Sequence, residues 1–307
     1  MRECVTAHAR PDRLVETIEN PRTSVARDGA VIAYRLWRPA ARRRVLVLVH
    51  GAASNMTRWN EFVSRAALKD SWDILRLDLR GMGRSVYRGR IGMAEWCADL
   101  AAILESEGYG SAVVAGHCLG ANIAVEFATR YPEKAAGLIL IEPMPRSALT
   151  GTMRRVVRLR ALLIALSWMV RAVNALGVYR RHIEPLDLEQ LDRETRAAIA
   201  AGGEAEVLLE KYASPLLDLR TTPSGAYLQA VIAVTARFPD LSAIAAPVLA
   251  MLSSGGALSD PLRTRSALAQ LPRCEIVELD AQHWIPTERA DAMREAIENW
   301  AARTFNA

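Results

Sequence analysis

The chain has 307 residues, 51% of them hydrophobic, enough to bury the core of one large α/β domain with an insertion, or of two domains. Its formal charge of +5 rests on arginine, with Lys69, Lys134 and Lys211 the only lysines, and no basic run interleaves with aromatic residues, so nucleic acid is not expected as a partner. Four scattered cysteines (Cys4, Cys97, Cys118, Cys274) lack metal-ligand spacing, and Met1 to Val5 leads into a polar stretch without an apolar signal region, so no disulfide framework, no metal and a cytoplasmic location are expected.

In chain order, residues 1–22 read as a leader. Ser24 to Arg38 reads as a hairpin turning at Asp28-Gly29. The run Arg44-Val45-Leu46-Val47-Leu48-Val49 has the continuous apolar character of a strand buried on both faces of a parallel sheet. Further strands are expected at 73–77, 111–115, 137–141, 247–252 and 275–279. Helices lie between most of them; Trp96, Leu100 and Ile103 mark one apolar face, and Ala290, Met293, Ile297 and Trp300 another. This alternation implies an α/β fold with a mostly parallel sheet and helices on both faces.

The alternation stops between Pro145 and Asp240, where the pattern is helical. Met153 to Ile183 carries seven arginines and no acid, whereas Glu184 to Glu210 carries eight acids against two arginines. Within the basic part, Ala161 to Val170 is apolar all round. That run is far shorter than the ~20 residues needed to span a bilayer. It reads as a helix buried between the core and the rest of the insertion; contact with a membrane surface is the less favoured alternative.

Gly116-His117-Cys118-Leu119-Gly120 stands between the strand at 111–115 and the helical run Ala121 to Ala128. Strand, Gly-x-nucleophile-x-Gly and helix form the context of a nucleophile elbow. The glycines admit a turn too tight for flanking side chains, and the helix N-terminus favours a thiolate. Upstream, His50-Gly51-Ala52-Ala53 ends a strand and can aim backbone N–H groups at a developing oxyanion. Asp78 to Ser85 reads as a tight loop that Asp78 orders rather than as a source of chemistry.

On these residues the chain resembles the α/β-hydrolase superfamily: His50-Gly51 with Asn55 and Trp59, then Asp78 to Ser85, the elbow, Leu138 to Pro143, and His283-Trp284-Ile285-Pro286-Thr287-Glu288, in that order. The resemblance implies an eight-stranded, mostly parallel sheet flanked by helices, with a helical cap after the sixth strand. The core would then comprise 23–144 and 241–307, and the cap 145–240. It maps Cys118 to the nucleophile and His283 to the base. The orienting acid is Asp260, in an Asp-Pro dipeptide after the strand at 247–252, with Glu142 at the end of the sixth strand as the alternative. Ala52 and Leu119 would supply the oxyanion hole, and Ala53, His117, Trp284 and Trp168 would line the substrate site. No cofactor is implied.

A cysteine in this place is acidic enough to be held as a thiolate by His283 before attack. Thiolate leaves a tetrahedral intermediate more readily than an amide nitrogen does, which tilts the expectation towards esters, lactones or thioesters of an apolar acyl group. Acyl transfer through the same acyl-cysteine, and ligand binding without turnover, are the competing readings.

Overall fold

The computed structural model describes residues 19–184, 186–202, 212 and 214–305. Eight strands form a single sheet: β1 Glu19–Val25, β2 Val31–Trp37, β3 Val45–Val49, β4 Asp73–Leu77, β5 Ala112–His117, β6 Ala135–Ile141, β7 Val248–Ser253 and β8 Cys274–Leu279. Their order is β1-β2-β4-β3-β5-β6-β7-β8. The β1–β2 and β2–β4 pairs are antiparallel, and every other pair is parallel. This is the α/β-hydrolase fold.

The described helices are α1 Asn60–Arg65, α2 Met93–Ser106, α3 Leu119–Arg130, α4 Gly151–Arg158, α5 Arg160–Ala175, α6 Leu188–Ala200, α7 Pro215–Thr221, α8 Ser224–Val234, α9 Pro261–Leu268, α10 Ile285–Glu288 and α11 Ala290–Phe305. Strands β3, β4, β5 and β7 are buried along their whole length because helices cover both faces of the sheet. One face packs Leu100, Ile103, Ile123 and Phe127 over Val47 and Val114; the other packs Phe62, Met293, Ile297 and Trp300 over Leu48 and Ile139. Val49 pairs with both Leu77 and Gly116, so β3, β4 and β5 end at one edge of the sheet. Because β3 lies between β4 and β5, the loops after β3 and β5 diverge there and leave a crevice. Between β6 and β7 the described residues form helices α4 to α8 and no strand of the sheet.

Two expectations change. Residues 1–18 of the expected leader lie outside the described residues, but 19–22 form the start of β1, paired with Arg35 to Trp37 and Tyr34 of β2. Polar residues and Pro21 suit an edge strand with one open side, and that pattern conceals it in the sequence. Its Glu19 is buried and accepts from Arg76 Nε at 2.9 Å. The second change concerns Ala161–Val170. The helix α5 that contains it is not buried: Ser167 alone is fully covered, and Leu162, Trp168 and Met169 face outward. Within Ala161–Val170 Ser167 is the one polar residue, and with Arg160, Arg171 and Asn174 it forms the side that meets the core, the reverse of the usual pattern.

Candidate active site

The crevice is built from four chain reversals. After β3, His50 is fully buried; its Nε2 accepts the Leu79 N–H at 3.0 Å and its Nδ1–H donates to Gly51 O at 2.8 Å. It is a strut between the β3 and β4 loops, and burial lowers its pKa so that it stays neutral. Ala52 and Ala53 follow half-buried, Ala53 with φ of 49°. Asp78 orders its own loop as expected, accepting the N–H groups of Met56 at 2.7 Å and Arg84 at 2.8 Å.

Between β5 and α3, Cys118 has φ 55° and ψ −114°, a strained conformation for a residue with a side chain. Two contacts enforce it. A Cβ on Gly116 would stand 2.1 Å from the backbone of Gly120, and one on Gly120 would stand 2.3 Å from Val49 O. The Cys118 N–H donates to Ile141 O at 2.9 Å, and Leu119 opens α3 with an amide that has no partner inside the helix. Cys118 is 8% exposed, and its Sγ lies 3.2 Å from Met144 Sδ. Asn122 clamps Met144 there: its Oδ1 accepts the Met144 N–H at 2.9 Å and its Nδ2 donates to Met144 O at 3.2 Å.

After β6, Glu142 also has positive φ, 50°, and its N–H donates to Met251 O at 2.9 Å. One carboxylate oxygen accepts the Ser253 N–H, and the other accepts from His283 Nδ1 at 3.0 Å. His283 is buried on the loop between β8 and α10, with Cys118 near enough to act on its ring. Burial alone would lower its pKa; Cys118 and the hydrogen-bonded Glu142 carboxylate on its two sides outweigh that and raise it to about 10. The loop is fastened on several sides. Glu288 accepts the N–H groups of Gln282, His283 and Trp284 at 2.9, 3.2 and 2.8 Å, and Ser253 Oγ donates to Gln282 O at 3.1 Å. His117 Nε2 donates to His283 O at 3.0 Å, and burial together with the neighbouring His283 holds the His117 pKa well below its usual value.

Cys118, His283 and Glu142 are therefore brought together, with Ala52 and Leu119 on the adjoining reversals. Asp260 is not among them. It is the N-cap of α9, accepting the Arg263 N–H at 3.0 Å, with Pro261 in the first turn and a third of its side chain exposed. An Asp-Pro dipeptide is as good a helix start as a triad signature, and the cap uses it here. His117 is a strut under His283 rather than a lining group. Trp168 lies on the outer side of α5, stacked by Arg171 at 5.2 Å. Trp284 is half-buried beside the site, edge-on to His283 with ring centroids 5.5 Å apart and near Tyr212 at 5.7 Å.

Asn122, Met144, Ser253 and Glu288 escaped sequence reasoning. Only Glu288 carried a signal, as an acid placed to collect the N–H groups of the turn before it. Arg58 was missed as well. It is buried, donates to Asp192 Oδ1 and Thr287 Oγ1 at 2.6 Å each, and lies 4.8 Å from the Tyr212 ring centre, tying α6 to the His283 loop. Among the described residues no group of three or more His, Cys, Asp or Glu is placed to hold a metal ion.

Residues 40–284 match the family model Hydrolase_4, described as serine aminopeptidase, S33. The provisionally named carbamate hydrolase RutD of Caulobacter vibrioides is 29% identical over 110 residues, 35% of this chain and 40% of that protein. Lipase LipV of Mycobacterium tuberculosis is 32% identical over 110 residues, 34% of this chain and 39% of its own length. The chain thus matches less than half the length of either relative. A thermophilic esterase from Thermogutta terrifontis superposes with a TM-score of 0.64 at 22% identity, covering 93% of this chain and 98% of the esterase, a likeness of fold.

Proposed function

The chain belongs to the Hydrolase_4 family of α/β-hydrolases, and from that footing we propose that it hydrolyses a carboxylic ester, lactone or thioester of an apolar acyl group, with Cys118 as nucleophile, His283 as base and Glu142 as orienting acid. The observation that carries this reading is the 3.0 Å bond from Glu142 to His283 Nδ1 beside the strained Cys118 elbow. Glu142 fixes the ring so that Nε2 serves Cys118, and it balances the imidazolium charge. The family's description names serine; Cys118 stands at the elbow in this chain.

The Cys118 thiolate attacks the acyl carbon, and the carbonyl electron pair moves to oxygen, held by the Ala52 and Leu119 N–H groups. As the intermediate collapses, the bond to the leaving oxygen or sulfur breaks and the His283 imidazolium gives that atom its proton. The acyl-thioester on Cys118 is then attacked by water whose proton passes to His283, and the thiolate departs to leave a carboxylic acid. Residues 145–240 act as the cap. Met144 packs its sulfur against Cys118 Sγ, an apolar neighbour that suits an acyl chain rather than a polar one.

The test follows p-nitrophenyl esters of increasing chain length together with intact mass. Acylation of the wild type at Cys118, lost in Cys118→Ala, supports the reading. Turnover retained in Cys118→Ala would overturn it, and binding of the esters without turnover would make the chain a binding protein. The burial of Cys118 and His283 also favours acyl transfer when water is scarce at the site, and transfer to an added alcohol in excess of hydrolysis would mark the chain as an acyltransferase.

A further inference from the structure

Helix α5 inverts the usual arrangement of an amphipathic helix. Its exposed residues are Ala161, Leu162, Ala165, Trp168, Met169, Ala172, Val173 and Ala175, without one polar side chain among them. Its polar groups, Arg160, Ser167, Arg171 and Asn174, are turned partly or wholly inward. Leu162 is 64% exposed, Trp168 66%, and Leu176 just past the helix 82%. Of the thirteen large apolar side chains most open to solvent among the described residues, eight fall between Leu159 and Tyr179. Scattered exposed hydrophobics are ordinary; a contiguous apolar stripe on one helix marks a contact surface, here with Arg171 at its edge over the Trp168 ring.

Charge identifies what it contacts. Exposed Arg154, Arg155 and Arg158 precede the stripe, exposed Arg180 and Arg181 follow it, and no acid occurs from Met153 to Ile183. An apolar face with a tryptophan, bracketed by arginines, matches an interface of acyl chains beneath anionic headgroups. A second copy of the chain fits less well, because pairing this face with itself brings the arginine clusters together without an acid in the segment to offset them. No described helix is long and apolar enough to cross a membrane, which agrees with a helix lying in the surface plane.

We propose that α5, with the arginines at its ends, docks this protein on an anionic phospholipid surface. The proposal stands apart from the chemistry assigned to Cys118. The full chain is sedimented with vesicles of phosphatidylcholine alone and of phosphatidylcholine mixed with phosphatidylglycerol. It is expected to partition onto the anionic vesicles at least about tenfold more strongly, and to be released by high salt. The double variant Leu162→Ser/Trp168→Ser and the triple variant Arg154→Gln/Arg155→Gln/Arg158→Gln should each lose about tenfold in partitioning with an unchanged far-ultraviolet dichroism spectrum. Absence of binding to either vesicle, equal binding to both, or variants that bind as the wild type does would overturn the proposal. So would self-association in sedimentation velocity that the double variant abolishes while the vesicles capture nothing. Turnover of a short, water-soluble ester, measured in parallel, reports on Cys118 separately.

Discussion

Glu142 and Asp260 offer a direct comparison, since both are acids in segments that follow sheet strands and only one meets His283. Glu142→Gln keeps the shape but must offer an N–H or an uncharged oxygen to Nδ1; kcat/KM should fall on the order of 10²–10⁴-fold with little change in fold. Asp260→Ala should leave kcat/KM unchanged and lower stability by about 0.5–2 kcal/mol through the lost α9 cap, read by denaturant titration. The thiols separate in the same way. Burial pushes the Cys97 thiol up, and burial with Glu275 raises Cys274 to about 11, so iodoacetamide at neutral pH should modify Cys118 before either and abolish turnover, as peptide mapping would show. His283 gives a pH dependence. Its ordinary pKa is 6.5 and its folded value about 10, so the folded chain holds a proton that the unfolded chain has lost between these limits. That stability is complete below about 6.5 and disappears as pH rises through about 10. Thermal melts across this window should slope downward in the wild type and flatten in Cys118→Ala, which removes part of the cause.

Among the elements, the strands were legible in the sequence because most central ones are short apolar runs, β4 with its Asp73 and Arg76 being the exception. The elbow was legible because Gly116 and Gly120 have one steric reason to be there. Gly116→Ala drives a Cβ into the Gly120 backbone and should cost several kcal/mol, enough to remove soluble protein or lower its midpoint sharply. The acid was harder to read, because two segments after sheet strands carry a candidate and "Asp-Pro" describes a helix start equally well. Least legible were contacts made across the chain, such as Asn122 with Met144 or Glu288 with the His283 loop, for which single-chain patterns carry no distance information. The outward face of α5 belongs with these: composition shows that it is apolar but not what lies opposite.

At the scale of the molecule, the helical insertion is held to the core through buried Arg58 and Asp192. Asp192→Leu strands the Arg58 guanidinium without its carboxylate and should cost about 3–5 kcal/mol, measured as a fall in the unfolding midpoint. The division of labour along the chain has another consequence. Cys118, Glu142 and the amides of Ala52 and Leu119 all precede the insertion, within residues 52–142, whereas His283 comes only after it. Yet His283 is held by Glu142 and His117, and its neighbour Gln282 by Ser253, all in the core sheet or its loops. Backbone continuity through the exposed Arg180-Arg181 connection is therefore dispensable once the chain has folded. Trypsin nicking there should leave two pieces that co-migrate on gel filtration and still turn over a soluble ester, so the protein is a natural candidate for fragment complementation, with activity reporting reunion of the halves.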